Sequence, residues 1–281
     1  MIKVLVWRVT NDTSFQDDAL KILERQHDGI EIIDGAADEN ISVFKNEFDI
    51  ILVVGAKKLG MSKATKAARQ LNLPEEKLLG DWIVCIPGFT LDKYRRLQKS
   101  RLSIFTMNCF GGLLLHTLGL PFRSPFVNMF FDEPDYLRFL REARSYIEEP
   151  LTFKETLYDT NLKKNYPYVA LGEVNIHMNH YRDFEAALAK WNERKQKINW
   201  DNLFVTTYTE SEEFAAAFDA LPYDKKVCFV PFKSDLNSAW YIKNPKGPYW
   251  KTVNNFARGK VFYYDLFDML LYGKKTPLIE T

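Results

Sequence analysis

The sequence is poor in the features that mark disulfide-rich, zinc-binding and membrane-spanning proteins. Its three cysteines, Cys85, Cys109 and Cys228, are odd in number and widely spaced. That spacing supplies neither a disulfide framework nor a zinc motif, and it favours a reducing, cytoplasmic compartment. No apolar run reaches the roughly 20 residues of a membrane-spanning helix. The first residues lack a charged segment followed by a long apolar run, so no signal peptide is predicted.

The chain also lacks an excess of charge of either sign. Its 38 lysines and arginines nearly balance 37 aspartates and glutamates, which gives a formal net charge of +1. Proteins that bind nucleic acid through phosphate contacts carry a strong basic field, so no nucleic-acid partner is predicted. Hydrophobic residues make up 46% of the 281 residues. A chain of this length and composition is expected to build two domains.

Apolar runs alternate with amphipathic segments along the first hundred residues. Strands are predicted at residues 2–7, 29–34, 48–55 and 82–86, and helices at 14–27, 57–73 and 91–99. Such alternation is typical of βαβ units, so residues 1–99 are predicted to form a small Rossmann-like domain with a parallel sheet. The glycines that let a dinucleotide approach the first turn are missing from residues 6–14. No cofactor is therefore predicted.

Residues 100–281 are predicted to form a larger three-layer α/β domain. Strands are predicted at residues 102–107, 126–131, 168–178, 202–207 and 226–230. Helices are predicted at residues 111–118, 134–148, 183–197, 212–220 and 249–257. A loop rich in lysine and asparagine is predicted just before residue 168.

A cysteine turn follows the first of these strands. Sites in α/β proteins gather at the carboxyl ends of strands, and a thiol at a helix N-terminus favours the thiolate. Cys109 is therefore a candidate nucleophile, and Asn108 is a candidate lining residue. The backbone N–H groups at Gly111 and Gly112 would be accessible to an oxyanion. The alternative is a buried, inert cysteine.

A polar strand face is the second candidate. Between residues 171 and 181, Glu173, Asn175, His177 and Asn179 alternate with apolar residues, which places these four on one face of a strand. The alternative is an edge strand with a wet outer face. In a cleft, His177 is suited to act as a general base. Cys109 would then pair with His177 or with His180, and Glu173 or one of the two asparagines would be the third member.

Two further features have a structural and a functional interpretation. Asp132, Glu133 and Asp135 could coordinate a divalent ion, but their position before a predicted helix favours N-terminal capping, and no metal site is predicted. Arg194 lies in the last turn of an amphipathic helix, where a cation complements the helix dipole. The functional alternative is that Arg194 binds an anionic group of a substrate.

Several motifs between residues 100 and 232 carry a family resemblance. They are Asn108-Cys-Phe-Gly-Gly112, Leu118-Gly-Leu-Pro121, Ser124-Pro125, Tyr166-Pro167, Leu171-Gly-Glu-Val-Asn-Ile-His177, His180-Tyr181, Trp191-Asn-Glu-Arg194, Ile198-Asn-Trp-Asp-Asn202 and Phe218-Asp-Ala-Leu-Pro-Tyr223. In this order they resemble the bacterial family labelled "exopolysaccharide biosynthesis protein". The resemblance implies a role in surface-polysaccharide assembly and a preceding Rossmann-like domain. The reaction of the family is not established.

Three functions follow as hypotheses. The first is a cytoplasmic transferase or glycan-precursor-modifying protein of bacterial cell-surface polysaccharide biosynthesis, with a carbohydrate or nucleotide sugar as ligand. The alternatives are a Cys–His hydrolase or acyltransferase and a non-catalytic binding or assembly module. The catalytic candidates are Cys109, His177 and Glu173, and the substrate-binding candidates are Asn108, Gly111, Gly112, Asn175, Asn179 and Arg194.

Overall fold

The chain divides into two compact units, each with its own parallel sheet. The computed structural model describes residues 1–35, 48–55, 57, 61–244 and 247–279. The first unit comprises Met1–Lys99 and Leu115–Pro121, and the second comprises Ser100–Leu114 and Phe122–Thr281. The predicted mixed α/β class is confirmed, with one parallel sheet near the N-terminus and another in the larger unit.

The first unit contains a four-stranded parallel sheet in the order β2-β1-β3-β4. The strands are β1 (Ile2–Arg8), β2 (Ile30–Gly35), β3 (Ile50–Val54) and β4 (Leu78–Gly80). The described helices are α1 (Gln16–Gln26), α2 (Met61–Gln70), α3 (Asp81–Val84) and α4 (Leu91–Lys99), with a 3-10 helix at Glu75–Lys77. Every residue of β3 is buried, as expected for an inner strand of a parallel sheet.

The second unit combines a parallel sheet with an antiparallel one. The parallel sheet has the order β11-β10-β9-β5, with β5 (Ser103–Thr106), β9 (Leu203–Tyr208), β10 (Lys226–Val230) and β11 (Ala239–Tyr241). The antiparallel sheet has the order β6-β7-β8, with β6 (Leu151–Asp159), β7 (Lys164–Leu171) and β8 (Val174–His177).

The helices after residue 100 are α5 (Phe110–Thr117), α6 (Glu133–Arg141), α7 (Ala143–Glu148), α8 (Phe184–Lys195), α9 (Glu212–Asp219), α10 (Tyr249–Ala257) and α11 (Leu266–Tyr272). Most of them lie within a few residues of their predicted positions. Within the described ranges, no helix combines the length and the apolar character that crossing a bilayer requires.

Residues 130 and 131 connect the two sheets of the second unit. The N–H of Phe131 donates to the carbonyl of Met107, just past the end of β5, over 2.8 Å. Phe130 pairs with His177 at the end of β8 in an isolated antiparallel bridge. The segment therefore lies between β5 and β8, and α6 begins two residues later.

A cluster of buried aromatic rings fixes the chain that leads into this segment. The ring of Phe126 lies 4.7 Å from that of Phe105, 5.0 Å from that of Phe139 and 5.7 Å from that of Trp191. Burying a side chain of this size contributes about 1.5–3 kcal/mol. Strands and helices that are distant in sequence are thereby packed around one ring.

The strand predicted at residues 168–178 is wrong, because the segment forms two strands joined by a turn. Leu171 pairs with Val174, so Gly172 and Glu173 form a two-residue hairpin turn. Gly172 has a φ of +58°, which glycine adopts without strain. Glu173 therefore does not share the strand face of His177.

Residues 126–131 do not form the predicted strand either. Asn128 adopts a left-handed φ of +67°, which interrupts an extended chain. Near the first unit's C-terminal end, the strand predicted at residues 82–86 is also wrong. The pairing with β3 falls on Leu78–Gly80, and the following residues form α3. A short apolar run does not distinguish a strand from a buried helical turn.

Two expectations about residues 134–167 also need correction. The predicted loop contains β6 and the start of β7, because most of β6 is exposed and shows no apolar alternation. The helix predicted at residues 134–148 is two helices, α6 and α7. They meet at Glu142, whose φ of −136° and ψ of 39° are not helical.

Gly111 lets α5 pack closely on β5. A Cβ at Gly111 would lie 2.9 Å from the Cγ2 atoms of Ile104 and Thr106, whereas a Cβ at Gly112 would lie 3.3 Å from Cγ1 of Val127. Ile104 and Thr106 are buried and β-branched, so they cannot easily withdraw.

We expect Gly111→Ala to lower the free energy of unfolding by about 1–2 kcal/mol, because overpacking outweighs the gain in helix propensity. Gly112→Ala is the matched control and should change that free energy by less than about 1 kcal/mol. Urea unfolding monitored by circular dichroism measures both. Equal effects of the two substitutions would contradict the packing role of Gly111.

Candidate functional site

Two groups of polar side chains in the second unit contain three of the nine predicted site residues, namely His177, Asn108 and Cys109. The first lies on the polar face of the antiparallel sheet and consists of His177, Asp132 and Tyr166; we call it the His177 group. The second is the Cys109 turn, Asn108 and Cys109, which follows β5 at the carboxyl end of the parallel sheet.

β8 presents Asn175 and His177 on the same face, as the alternation predicts. Val174 and Ile176 are fully buried, whereas Asn175 and His177 are partly exposed. Neighbouring residues of a strand point to opposite faces, so the two polar side chains lie together. The prediction that these two residues share a polar face is confirmed.

The imidazole of His177 is held by both of its nitrogens and by two aromatic rings. Nδ1 lies 2.9 Å from the Tyr166 hydroxyl, and Nε2 lies 3.3 Å from Oδ2 of Asp132. The ring of Phe130 stacks on the imidazole with centroids 4.2 Å apart, and the centroid of Tyr168 lies 4.6 Å away. The His177 side chain is only 13% exposed, whereas that of Asp132 is 60% exposed. Asp132 is therefore the accessible end of the group.

The partners of His177 determine the tautomer of its neutral ring. A carboxylate only accepts hydrogen bonds, so Nε2 carries the proton toward Asp132. Nδ1 then accepts from the Tyr166 hydroxyl. Burial raises the pKa of Tyr166, and the charges of Asp159 and Asp132 raise it further, so this phenol keeps its proton at neutral pH. Each donor in the group thus has one acceptor.

A second network extends the polar face beside the His177 group. Lys154 Nζ donates to Oδ1 of Asn175 over 2.8 Å, and Nδ2 of Asn175 donates to Oδ2 of Asp135 over 3.2 Å. The Lys154 ammonium also lies 5.1 Å from the ring centroid of Tyr168. An ammonium, an amide and a carboxylate beside an aromatic ring can donate to and accept from the hydroxyls of a sugar.

The Cys109 turn lies at the start of α5. Oδ1 of Asn108 accepts from the N–H of Phe110 over 2.8 Å. Nδ2 of Asn108 is buried and has no hydrogen-bond partner among the described residues. Burial raises the pKa of the Cys109 thiol, and the positive charge of Arg258 opposes that rise only in part. The expected preference for thiolate is therefore wrong, because desolvation outweighs the favourable position.

Asp132 and Glu133 bring the His177 group near the carboxyl end of the parallel sheet, because they are consecutive. While Asp132 contacts His177, Oε1 of Glu133 accepts from Thr209 Oγ1 over 2.6 Å, just past the carboxyl end of β9. Consecutive Cα atoms are about 3.8 Å apart. The polar face of the antiparallel sheet and the carboxyl end of the parallel sheet therefore meet at the start of α6.

Tyr208 connects this point electrostatically to the Cys109 turn. Burial raises the pKa of Tyr208 to about 12, and the charges of an ionised Cys109 and of Glu133 add to that rise. No hydrogen bond or ion pair joins Cys109 to His177 in the part of the chain that the structure describes. Their action as a nucleophile–base pair stays a prediction.

Glu173 and Asn179 make contacts away from His177. Glu173 is exposed in the hairpin turn, where its carbonyl accepts from Nη1 of Arg138 over 3.2 Å. Asn179 follows the end of β8, and its Nδ2 lies 3.4 Å from Oδ2 of Asp159. The strand face on which both were predicted extends only over Asn175 and His177.

Arg194 lies on α8 and supports packing. Its Nη1 donates to the Tyr181 hydroxyl over 2.9 Å, and that hydroxyl donates to the carbonyl of Val127 over 3.0 Å. The guanidinium also lies 5.5 Å from the ring centroid of Phe122. These contacts attach α8 to the loop that follows α5. A role for Arg194 in binding a substrate stays a prediction.

Sequence reasoning misses Tyr166 because it places a loop where β7 begins. Tyr168 falls on the predicted strand, but nothing in the local pattern indicates its contact with His177. Side chains do alternate along the segment that forms β7, but Pro167 is unfavourable in an inner strand, because proline lacks a backbone N–H. The structure tolerates Pro167 because β8 pairs with β7 only from Tyr168 onward, so no N–H is needed there. Asp132 lies 45 positions from His177 along the chain, and no local pattern could reveal that contact.

The acidic residues at the start of α6 accept hydrogen bonds from neighbouring side chains. Asp132 is the N-cap residue, but its side chain makes no capping hydrogen bond, so the predicted side-chain cap is wrong. Its carboxylate is turned toward His177 instead. Among the described residues, no three histidine, cysteine, aspartate or glutamate side chains are grouped so that they could hold a metal ion.

Comparison with known proteins identifies the family. Residues 84–272 match the model of a family described as a domain of unknown function, DUF1919. The chain belongs to this family. A relative from Haemophilus influenzae, named an uncharacterized protein, is 35% identical over 182 residues, which are 62% of this chain and 84% of the relative. The range matched to DUF1919 includes both the Cys109 turn and the His177 group.

The raised pKa of Cys109 predicts slow alkylation of this DUF1919 chain. We expect iodoacetamide to modify Cys109 slowly at neutral pH and faster above the ordinary thiol pKa of 9.0. Arg258→Gln should slow the reaction further, because the loss of the positive charge raises the thiol pKa. Lys260→Gln is the matched charge control. Mass spectrometry of the Cys109 peptide measures the rate, and modification as fast as that of an unfolded cysteine peptide would contradict the prediction.

The hydrogen bonds of His177 predict one tautomer. We expect 15N NMR of the histidine rings to show the proton of neutral His177 on Nε2, because Asp132 can only accept there. Tyr166→Phe should keep that tautomer and lower the free energy of unfolding by about 1 kcal/mol through the lost hydrogen bond. A proton on Nδ1 in the wild-type protein would contradict the arrangement.

Proposed function

We propose that this DUF1919 chain transfers or modifies a glycan precursor in bacterial cell-surface polysaccharide biosynthesis. The observation that supports the proposal most directly is the hydrogen-bonded His177 group, which lies beside the Lys154–Asn175–Asp135 network. The face offers donors, acceptors and aromatic rings together, as a sugar requires. The motif resemblance supports the polysaccharide context.

Asp132 is the residue that would contact the reacting hydroxyl. One of its oxygens is bonded to His177, and the side chain is 60% exposed, so the second oxygen can accept from a sugar hydroxyl. The Asp132 carboxylate would take the hydroxyl proton as the hydroxyl oxygen attacks the anomeric carbon of a nucleotide-sugar donor. The bond from that carbon to the nucleoside diphosphate would break, and the diphosphate would leave with the electron pair. His177 would orient the carboxylate, because its ring is fixed by Tyr166 and by the stacked ring of Phe130.

Two alternative functions require different properties of the same residues. A Cys–His hydrolase or acyltransferase needs a reactive thiol at Cys109, and the raised pKa of that thiol disfavours it. A binding or assembly module needs the polar face but no proton acceptor. Turnover therefore separates the proposed enzyme from the module, and alkylation of Cys109 separates it from the hydrolase.

The test combines ligand binding with turnover. A panel of nucleotide sugars and glycan fragments is screened by thermal shift, because a ligand of the folded state raises the unfolding temperature. Stabilising ligands are then incubated in pairs, and products are identified by mass spectrometry. We expect Asp132→Asn to lower turnover by about 10²–10⁴-fold, the typical contribution of acid–base catalysis, while ligand binding is largely retained.

His180→Gln is the matched control for His177→Gln. His180 is an exposed histidine three positions away on the same ribbon, outside β8. We expect His180→Gln to behave as the wild type and His177→Gln to lose turnover. A panel without a stabilising ligand, or turnover unchanged by Asp132→Asn, would overturn the proposal. Binding without turnover would favour the assembly module.

A further inference from the structure

A cleft of about 600 Å³ lies at the amino end of the parallel sheet of the second unit. Its walls are the junction of α6 and α7 around Glu142, the residues that precede β9 and the residues that precede β10. Clefts of this volume hold small organic ligands. The function proposed above makes no use of it.

The cleft is separate from the His177 group. Leu203, the first residue of β9, lines the cleft, whereas Tyr208, the last residue of β9, precedes Thr209, which is bonded to Glu133 next to Asp132 of the His177 group. At about 3.3 Å per residue, these two ends of the strand are about 16 Å apart. An inference about this cleft therefore does not depend on the proposed function.

Trp200 supplies an aromatic wall. Its ring is partly exposed in the cleft and packs against the buried ring of Phe105, with centroids 5.5 Å apart at 84°. The guanidinium of Arg144 lies 4.6 Å from the Trp200 ring centroid. The indole is thereby fixed on one side by the core and carries a cation on the other.

Charged side chains of both signs line the cleft without pairing. The charged residues beside Trp200 are Arg141, Glu142, Arg144, Asp201 and Asp224. Within the described ranges, none of these five side chains forms an ion pair or a side-chain hydrogen bond. Cations and carboxylates that share a cleft yet remain unpaired are available to a ligand that carries both acceptors and donors.

Lys225 adds a third cation with only neutral partners. Its ammonium donates to Oδ1 of Asn202 and lies 3.5 Å from the carbonyl of Leu270. Burial lowers the pKa of Lys225, because neither partner supplies a full negative charge. An anion in the cleft would provide that countercharge.

We infer that this cleft binds a sugar that carries one anionic group, a phosphate or a carboxylate. The anionic group would contact the two arginines, Arg141 and Arg144, and its charge would lie near Lys225. The sugar hydroxyls would donate to the three carboxylates, and the apolar face of the sugar would pack near Trp200. Because the cations and carboxylates are equal in number, a polyanion such as a polyphosphate is disfavoured.

Isothermal titration calorimetry of the full chain tests whether the cleft binds an anionic sugar, and it uses four probes. Glucose 1-phosphate carries the phosphate form of the anion, and glucuronic acid carries the carboxylate form. Glucose lacks the anion, and inorganic phosphate lacks the sugar. We expect one of the two anionic sugars to bind at least about tenfold more tightly than either glucose or phosphate, a difference of about 1.4 kcal/mol. The tighter of the two identifies the anionic group.

Variants locate the binding. Arg144→Gln and Asp201→Asn should each weaken it about tenfold, since each removes a charged partner. Arg141→Gln is the second arginine variant, because Arg144 also packs on Trp200 and its loss could disturb the fold; circular dichroism checks folding. Arg182→Gln, which changes an exposed arginine of the same unit, is the matched control and should have no effect.

Three results would overturn the inference. They are the absence of binding at about 10 mM, equal binding of inorganic phosphate and glucose 1-phosphate, and unchanged binding in all three cleft variants. His177→Gln should leave the binding unchanged. Binding lost in His177→Gln and kept in the cleft variants would place the sugar at the His177 group, which overturns this inference and supports the proposed function.

Discussion

The contacts of residues 130–133 hold the candidate site together. The backbone of Phe131 is bonded to Met107 beside the parallel sheet, and the backbone of Phe130 is bonded to His177 on the antiparallel sheet. The next two side chains, of Asp132 and Glu133, reach His177 and the end of β9. Four consecutive residues thus contact both sheets, the His177 group and the residue that follows β9, so a displacement of this segment would separate Asp132 from His177.

Buried groups on either side keep the segment in place. Phe126 lies in the aromatic cluster before it, and α6 follows it, with the buried ring of Phe139 and the hydroxyl of Tyr136. That hydroxyl donates to the carbonyl of Thr206 in β9 over 3.1 Å. Burial raises the pKa of Tyr136 well above its usual range, so the hydroxyl remains a donor. The exposed Asp132 carboxylate is therefore positioned by residues that are themselves buried.

The sequence reveals those parts of the site that repeat along one strand. The alternation of Asn175 and His177 with buried neighbours was enough to place both on a polar face. Sequence alternation assigns Glu173 to that face, because Gly172 alone does not show that the alternating segment contains a turn. The partnership of Asp132 with His177 comes from segments that meet only through packing. The mostly exposed strand β6 lacked the apolar period by which strands are recognised.

The proposed glycan site is the accessible carboxylate of Asp132 beside His177. The chain contains four histidines, so their ring resonances can be resolved and assigned individually by NMR. We expect titration with a stabilising nucleotide sugar or glycan to shift the resonances of His177 and to leave those of His27, His116 and His180 in place. A ligand that saturates the protein while the His177 resonances stay unchanged would contradict the proposed site.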